Sequence, residues 1–410
     1  MFQGLSLDQA PPYEGVIKFF LSAPIFALLY GILLLISDPL QLHSNTTIAF
    51  THLFTIGFMV ITMFGALQQM LPVVAGAPIP SALKVSNITF YSLLIALAFF
   101  VIGFYMYNTI LLTVSAVALT FSLLYFSFTL LHVLLKIEDK NYIIRAIIAS
   151  LSFFVVGVFV GLFLLFAHIS GSFVESHYVI ASMHYVFMFF GWVALLIIGI
   201  SFQVVPMFWV ADAYKLHEQK YLLISVVSLL VLYPVFALFE MVDIYKFLLS
   251  PMLFYALYLT ALKLHKRKRK ITDYSVKFWF VGIISLAIGL IYWILMSYFE
   301  LNAQGLGLFF GFGFTLSIMS AMLYKIVPFL TWFHLNSKGY FEIPTMRDML
   351  NQKLLKAHFY LHVITLSLFS LALYESSIIK IATVVFIMAN AIFCYNLFKS
   401  ALIYKQTVKE

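Results

Sequence analysis

Residues 184–206 read HYVFMFFGWVALLIIGISFQVVP, twenty-three consecutive positions without an Asp, Glu, Lys or Arg. A hydrocarbon layer roughly 30 Å thick is crossed by about 20 helical residues at about 1.5 Å each, so this stretch is long enough to span a bilayer. A membrane strand is excluded, because barrel strands are about 10 residues long and alternate in polarity, whereas this run is apolar on every face.

The same reading extends along the whole chain. Apolar runs separated by polar breaks place helices near 17–38, 48–73, 86–106, 109–134, 143–167, 179–208, 221–239, 245–263, 277–298, 304–334, 354–373 and 378–398. Composition agrees: 63% of the 410 residues are hydrophobic, 10% are charged, and the mean hydropathy is +1.04. The expected fold is therefore all-α, a single transmembrane domain over 1–410 with about twelve helices.

Lysine and arginine set the orientation. With the N-terminus inside, 22 of the 24 basic residues fall in cytoplasmic segments or at their helix ends, leaving Lys246 and Lys380 outside. Both termini are then cytoplasmic, as expected of a bacterial inner membrane protein. The +8 net charge follows from this asymmetry. The run Lys266-Arg267-Lys268-Arg269-Lys270 abuts an apolar helix, so it reads as an anchor on anionic lipid and not as a nucleic-acid patch. The first fifteen residues, MFQGLSLDQAPPYEG, lack a basic n-region and a small-residue cleavage site, so the first helix is expected to be retained. With one cysteine, Cys394, neither a disulfide framework nor a cysteine-cluster metal site is available.

A period of about 130 residues organises the helices. The second, sixth and tenth read HLFTIGFMVITMFGALQQMLP (52–72), the opening stretch 184–206, and GLFFGFGFTLSIMSAMLYKIVP (307–328). Fifteen residues before their closing prolines, Pro72, Pro206 and Pro328, stand Gly57, Gly191 and Gly313. Gly65 and Gly199 lie seven before the proline, and Gln69 and Gln203 three before it; the tenth helix has Ala321 and Lys325 at those places. The pattern predicts three pseudo-repeated four-helix arcs, with blocks roughly 1–80, 81–210 and 211–335 and with helices 11–12 at 353–400 completing the first arc. A mid-helix glycine admits either a neighbouring helix or a flat ligand close to the backbone.

Polar side chains within hydrocarbon need a partner or a purpose. Of the eleven histidines, His132, His217 and His265 are explained by the cytoplasmic interface, and His43 and His177 by the outer loops. His52 and His184 stand five and seven residues before the repeat glycines at the outer ends of their helices, where neutral imidazole is a ligand for haem iron, copper or zinc. His168 ends the fifth helix on the same side and is expected to support them. A second candidate metal set is His358 and His362, four apart on one helical face, with His334 nearby; the ordinary reading is a helix start facing cytoplasmic water. Gln68, Gln69, Gln203 and Lys325 point into the inner half of the repeat helices, either snorkelling or lining a polar path.

This architecture resembles the haem–copper oxidase subunit I superfamily, and most closely its NnrS-type relatives. The segment His52-Leu53-Phe54-Thr55-Ile56-Gly57, with Leu71-Pro72 after it, is similar to that family's second helix. The resemblance implies a b-type haem, with copper as a further cofactor, on His52 and His184, supported by His168 and cradled at Gly57 and Gly191. It also implies handling of nitric oxide, oxygen, haem or copper, with the lipid bilayer and a small gas or metal as partners. The departures are specific. The outer part of the tenth helix reads Gln304-Gly305-Leu306-Gly307 where the oxidases carry two histidines, the seventh helix has none, and His184 matches the sixth-helix copper ligand only loosely, with Tyr185 directly after it. A proton-pumping terminal oxidase is therefore not expected. Two other readings stay open: a transporter with a polar path at the repeat interface, and a cofactor-free subunit or assembly factor of a respiratory complex.

Overall fold

A computed structural model describes residues 11–37, 41, 44–172 and 177–409. Among them are twelve helices long and apolar enough to cross a membrane, and no strand. They are α1 (Tyr13–Ile36), α2 (Asn45–Phe54, Thr55–Val60 and Ile61–Ala75 in continuous succession), α3 (Ala82–Tyr105), α4 (Thr109–Leu135), α5 (Tyr142–Ser170) and α6 (His177–Val186, Phe187–Ala194 and Leu195–Trp209). The remainder are α7 (Leu216–Leu238), α8 (Val242–His265), α9 (Tyr274–Leu295), α10 (Gln304–Leu306, Gly307–Leu316 and Ser317–Ser337), α11 (Gln352–Ala372) and α12 (Ile379–Lys409). The predicted runs match these helices one for one. The helix starts are chemically marked: Ser44, Asn108, Asn141, Asp273 and Asn351 each accept a hydrogen bond from a backbone N–H in the first turn that follows. Gly76 and Gly171, at φ 59° and 66°, end α2 and α5 in the left-handed conformation that glycine adopts without a Cβ clash.

Neighbour contacts arrange nine of the described helices as a closed ring, in the order α1, α12, α11, α9, α8, α7, α5, α4, α3 and back to α1. Inside it stand α2, α6 and α10, whose apolar windows are 78%, 67% and 72% buried, against 28–50% for the ring helices. Ring helices turn residues such as Ile95, Val117, Val231, Ile284 and Leu371 outward, where the only solvent compatible with so much exposed aliphatic surface is lipid. The centre is packed with rings: Phe54 lies edge-on to Phe312 at 4.9 Å, Phe189 stacks on Phe310 at 4.5 Å, and Phe64 meets Trp192 at 6.2 Å.

Each inner helix changes its winding at the same place. Thr55–Val60, Phe187–Ala194 and Gly307–Leu316 are π-helical, and they contain Gly57, Gly191 and Gly313. In every case the helix immediately preceding in the chain lies against the glycine. A methyl group there would sit 2.7 Å from the Phe26 ring of α1, 2.7 Å from Phe153 Cβ of α5, and 2.5 Å from Ser285 Cβ of α9. The wider π turn shifts a carbonyl out of the ordinary ladder, and Thr315 Oγ1 donates to one of these, Phe310 O, at 2.8 Å. Pro72, Pro206 and Pro328 lie inside these helices, as the predicted spans had them: α2 continues to Ala75, α6 to Trp209 and α10 to Ser337.

Candidate functional site

His52 lies on α2 two turns from its start, and its Nδ1 is 2.8 Å from the carbonyl oxygen of Ile48, one turn back. His184 occupies the matching end of α6, with its Nδ1 2.9 Å from the carbonyl oxygen of Gly157 on α5. A carbonyl only accepts, so in both rings Nδ1 carries the proton and Nε2 of the neutral imidazole keeps its lone pair. This is the arrangement in which a backbone carbonyl fixes the tautomer and orientation of a metal-binding histidine. The two ring centres are 6.2 Å apart with their planes 26° from parallel. Phe100 of α3 packs on His52 at 4.8 Å.

The groove that receives His184 is made by glycines the sequence reading passed over. Gly157 supplies the carbonyl, and a methyl at Gly161 would sit 2.7 Å from His184 Cε1, so the imidazole lies directly on the α5 backbone. Met188, one turn further along α6, places Sδ in the adjoining notch, 2.5 Å from where a Gly157 methyl would be. The signal was present as Gly157-Val158-Phe159-Val160-Gly161, two small residues on one helical face.

The other candidates fall elsewhere. His168 is exposed at the end of α5, its ring 5.1 Å from Phe104 and seven residues, or about 10 Å, beyond Gly161. It does not join the pair. Gly57 and Gly191 are filled by Phe26 and Phe153, so they seat neighbouring helices where a flat ligand was the other expectation. His43 lies outside the described residues.

His358 and His362 do not face water at a helix start. They are 1% and 2% exposed, and each is held by a side chain of α10: His358 Nδ1 with Tyr324 Oη at 2.9 Å, and His362 Nε2 with Ser317 Oγ at 2.7 Å. Phe393 of α12 stacks on His358 at 4.8 Å. His334 is ten residues from Tyr324 along α10, about 15 Å away, against Tyr13 at 5.5 Å. These three histidines therefore form a buried polar pair and a separate interfacial residue, not one ligand set. Among the described residues no group of three His, Cys, Asp or Glu side chains converges on a common point.

The polar residues of the inner helices are engaged in part: Lys325 and Gln68 have partners, while the buried Oε1 atoms of Gln68 and Gln69 have none among the described residues. Lys325 Nζ meets Asp273 Oδ2 at 2.6 Å, and Asp273 Oδ1 accepts from Ser275 N and Oγ at 2.9 and 2.6 Å. Burial pushes the Asp273 carboxyl up, but the Lys325 ammonium and the Ser275 hydrogen bonds outweigh it and hold it below the ordinary value. Trp209 of α6 completes this cluster, its Nε1 donating to Ser275 Oγ at 3.1 Å. Gln68 donates to Ala82 O at 3.0 Å, tying α2 to α3.

Taken together, the ring of apolar helices around three inner ones defines a multi-pass helical membrane protein. No family model and no curated protein matches the chain.

Proposed function

We propose that this protein binds one transition-metal ion between α2 and α6, on His52 and His184, and that it sits in a bacterial inner membrane with both termini cytoplasmic. The observation that carries this reading is the His52–His184 pair itself. Two rings from the same ends of two inner helices are each fixed through Nδ1 by a carbonyl and stand 6.2 Å apart. A bound metal lies about 2.0–2.1 Å from an imidazole nitrogen, which is about 1.1 Å from its own ring centre, so two imidazoles that share one ion have centres at most about 6.3 Å apart. The observed separation falls within that limit.

Relationship to the oxidase subunit I superfamily, NnrS-type members included, is part of the proposal. It draws support from the glycine-centred π turns recurring in α2, α6 and α10, as a threefold repeat requires. The same helices are among those to which the resemblance assigns metal ligands. The residues fit a metal ion better than haem, since Phe26 and Phe153 occupy the glycine faces expected to receive a macrocycle. The polar path of a transporter is less well supported, its one lysine being paired with Asp273.

The test is metal analysis and an absorption spectrum of detergent-purified protein. The proposal expects about one metal ion per chain and no Soret band, with loss of the metal in His52→Ala or His184→Ala and retention in His217→Ala. A metal-free wild-type protein after supplementation refutes it, and a Soret band with matching iron replaces the bare ion with haem.

A further inference from the structure

The ring helices α9 and α11 are neighbours, and their exposed faces change chemistry in the same way along their length. On α9, Lys277 in the first turn is followed at seven-residue spacing by Ile284 and Ile291, both exposed. On α11, exposed Lys356 is followed at four-residue spacing by Tyr360 and Ile364, both exposed. Each stripe is cationic at the end of the bundle that also carries Lys266–Lys270 and aliphatic beyond it.

A lysine at a membrane interface ordinarily extends its ammonium out to water. Lys277 is drawn sideways onto the seam instead. It is half-buried, and its Nζ lies 4.5 Å from the centre of the Tyr274 ring and 5.8 Å from that of Phe359 on α11, two rings that stand 5.6 Å apart. Aromatic faces hold an ammonium in place and leave its charge uncancelled. Lys356 is one turn before Phe359 on α11, and Lys353 one turn before that. Among the described residues no carboxylate forms an ion pair with Lys277, Lys353 or Lys356, and the first turn of α11 holds no acidic residue.

One cation fixed by two rings and two more beside it, all without a counter-ion, therefore stand at the head of a seam bounded by aliphatic side chains. We propose that this seam binds an anionic phospholipid, with its phosphodiester on Lys277 and Lys356, Tyr360 at the headgroup level, and acyl chains along Ile284, Ile291 and Ile364. Charge complementarity selects the headgroup, and the aliphatic continuation selects a lipid over a free anion. The site is independent of the metal pair.

Native mass spectrometry of the full-length protein in detergent reads the binding. The protein is titrated with phosphatidylglycerol and, in parallel, with phosphatidylcholine of the same acyl chains. Phosphatidylglycerol is expected to bind at least about tenfold more tightly. Lys277→Gln combined with Lys356→Gln is expected to weaken it about 25-fold, taking about fivefold for each lysine at a lipid surface, and to leave phosphatidylcholine unchanged. Arginine at both positions retains the affinity. Lys136→Gln combined with Lys220→Gln removes the same charge from exposed positions on other helices and is expected to stay within about twofold of wild type; thermal melts establish that all three variants are folded. Equal affinity for the two lipids, undiminished phosphatidylglycerol binding in the Lys277/Lys356 variant, or an equal loss in the Lys136/Lys220 variant overturns the inference. Displacement of the lipid by inorganic phosphate at millimolar concentration overturns it as well, by making the occupant a free anion. Metal content enters none of these readouts, so the His52–His184 assignment stands or falls separately.

Discussion

Gly161→Ala is the substitution in which packing and site chemistry meet. The new methyl would lie 2.7 Å from His184 Cε1 and 3.1 Å from Nδ1. Carbon atoms rest at about 3.5–4.0 Å, so the imidazole must retreat by about 1 Å. That carries Nδ1 from 2.9 Å to beyond hydrogen-bonding reach of Gly157 O. Loss of the bond costs about 0.5–1.5 kcal/mol net, and the added methyl strains the α5–α6 contact by about 1–3 kcal/mol. Alanine returns about 0.8–1.0 kcal/mol of helix propensity, leaving a net loss of about 0.5–3.7 kcal/mol. The metal pays more heavily in proportion, because an unanchored histidine ligand typically binds about 10–100-fold more weakly. Metal titration alongside a thermal melt in detergent reads both effects. Gly307→Ala, in open space on α10, is the control and is expected to leave affinity unchanged. Wild-type affinity in Gly161→Ala refutes the claim that this glycine seats a metal-binding imidazole.

Three further outcomes follow from the geometry. Gly199→Ala puts a methyl into that of Ala146 on α5, with no rotamer to relieve it; it is expected to lower stability by about 1–3 kcal/mol, and Ala146→Gly in the same chain to restore most of the loss, as judged by thermal melts of both variants. Asp273→Asn breaks the pair with Lys325, whose side chains are 20% and 27% exposed; about 2 kcal/mol at pH 7 is expected, below the 3–5 typical of fully buried pairs. Because the folded-state carboxyl is held below its ordinary 3.8, that difference is present above pH 4 and shrinks as pH falls from there through the depressed value; a gap that stays constant down to pH 3 contradicts it. Tyr324→Phe leaves His358 Nδ1 without its partner and is expected to cost about 1–3 kcal/mol in a melt while metal affinity stays at the wild-type value, which separates this pair from the site.

The twelve helices were legible because a bilayer imposes one length and one composition on every span, and hydropathy measures both. It measures little else, which explains the errors at the ends. The apolar signal ran out near 398, whereas α12 continues through Lys399, Lys405 and Gln406 to Lys409, since a helix leaving hydrocarbon loses its apolar requirement but not its hydrogen bonds. Polar Leu216–Lys220 likewise begins α7 before the predicted start, with Glu218 accepting from Lys215 N at 2.7 Å. The glycines at 57, 191 and 313 were visible as a spacing. The π turns around them were not, because a change from one backbone hydrogen-bonding pattern to another leaves no mark on residue type.

At the site, location near the outer ends of two repeat helices singled out His52 and His184, and their rings stand 6.2 Å apart. His168 shared their end of the bundle and nothing more. His358 and His362 were open to two readings, a metal set or an interface, because position along a helix can be read from sequence while the face it buries depends on neighbours far away in the chain. Here the neighbours are Ser317, Tyr324 and Phe393. The contribution of α5 was hidden for the same reason: Gly157 and Gly161 become part of a site only when α6 is laid against them.

The central claim is that His52 and His184 share one ion. X-ray absorption on the metal-loaded full-length protein tests it most directly, through the outer-carbon scattering that identifies imidazole. Two imidazoles per metal are expected in the wild-type protein and no more than one in whatever metal either His52→Ala or His184→Ala retains. Two imidazoles persisting in both variants, or none in the wild type, would contradict the account.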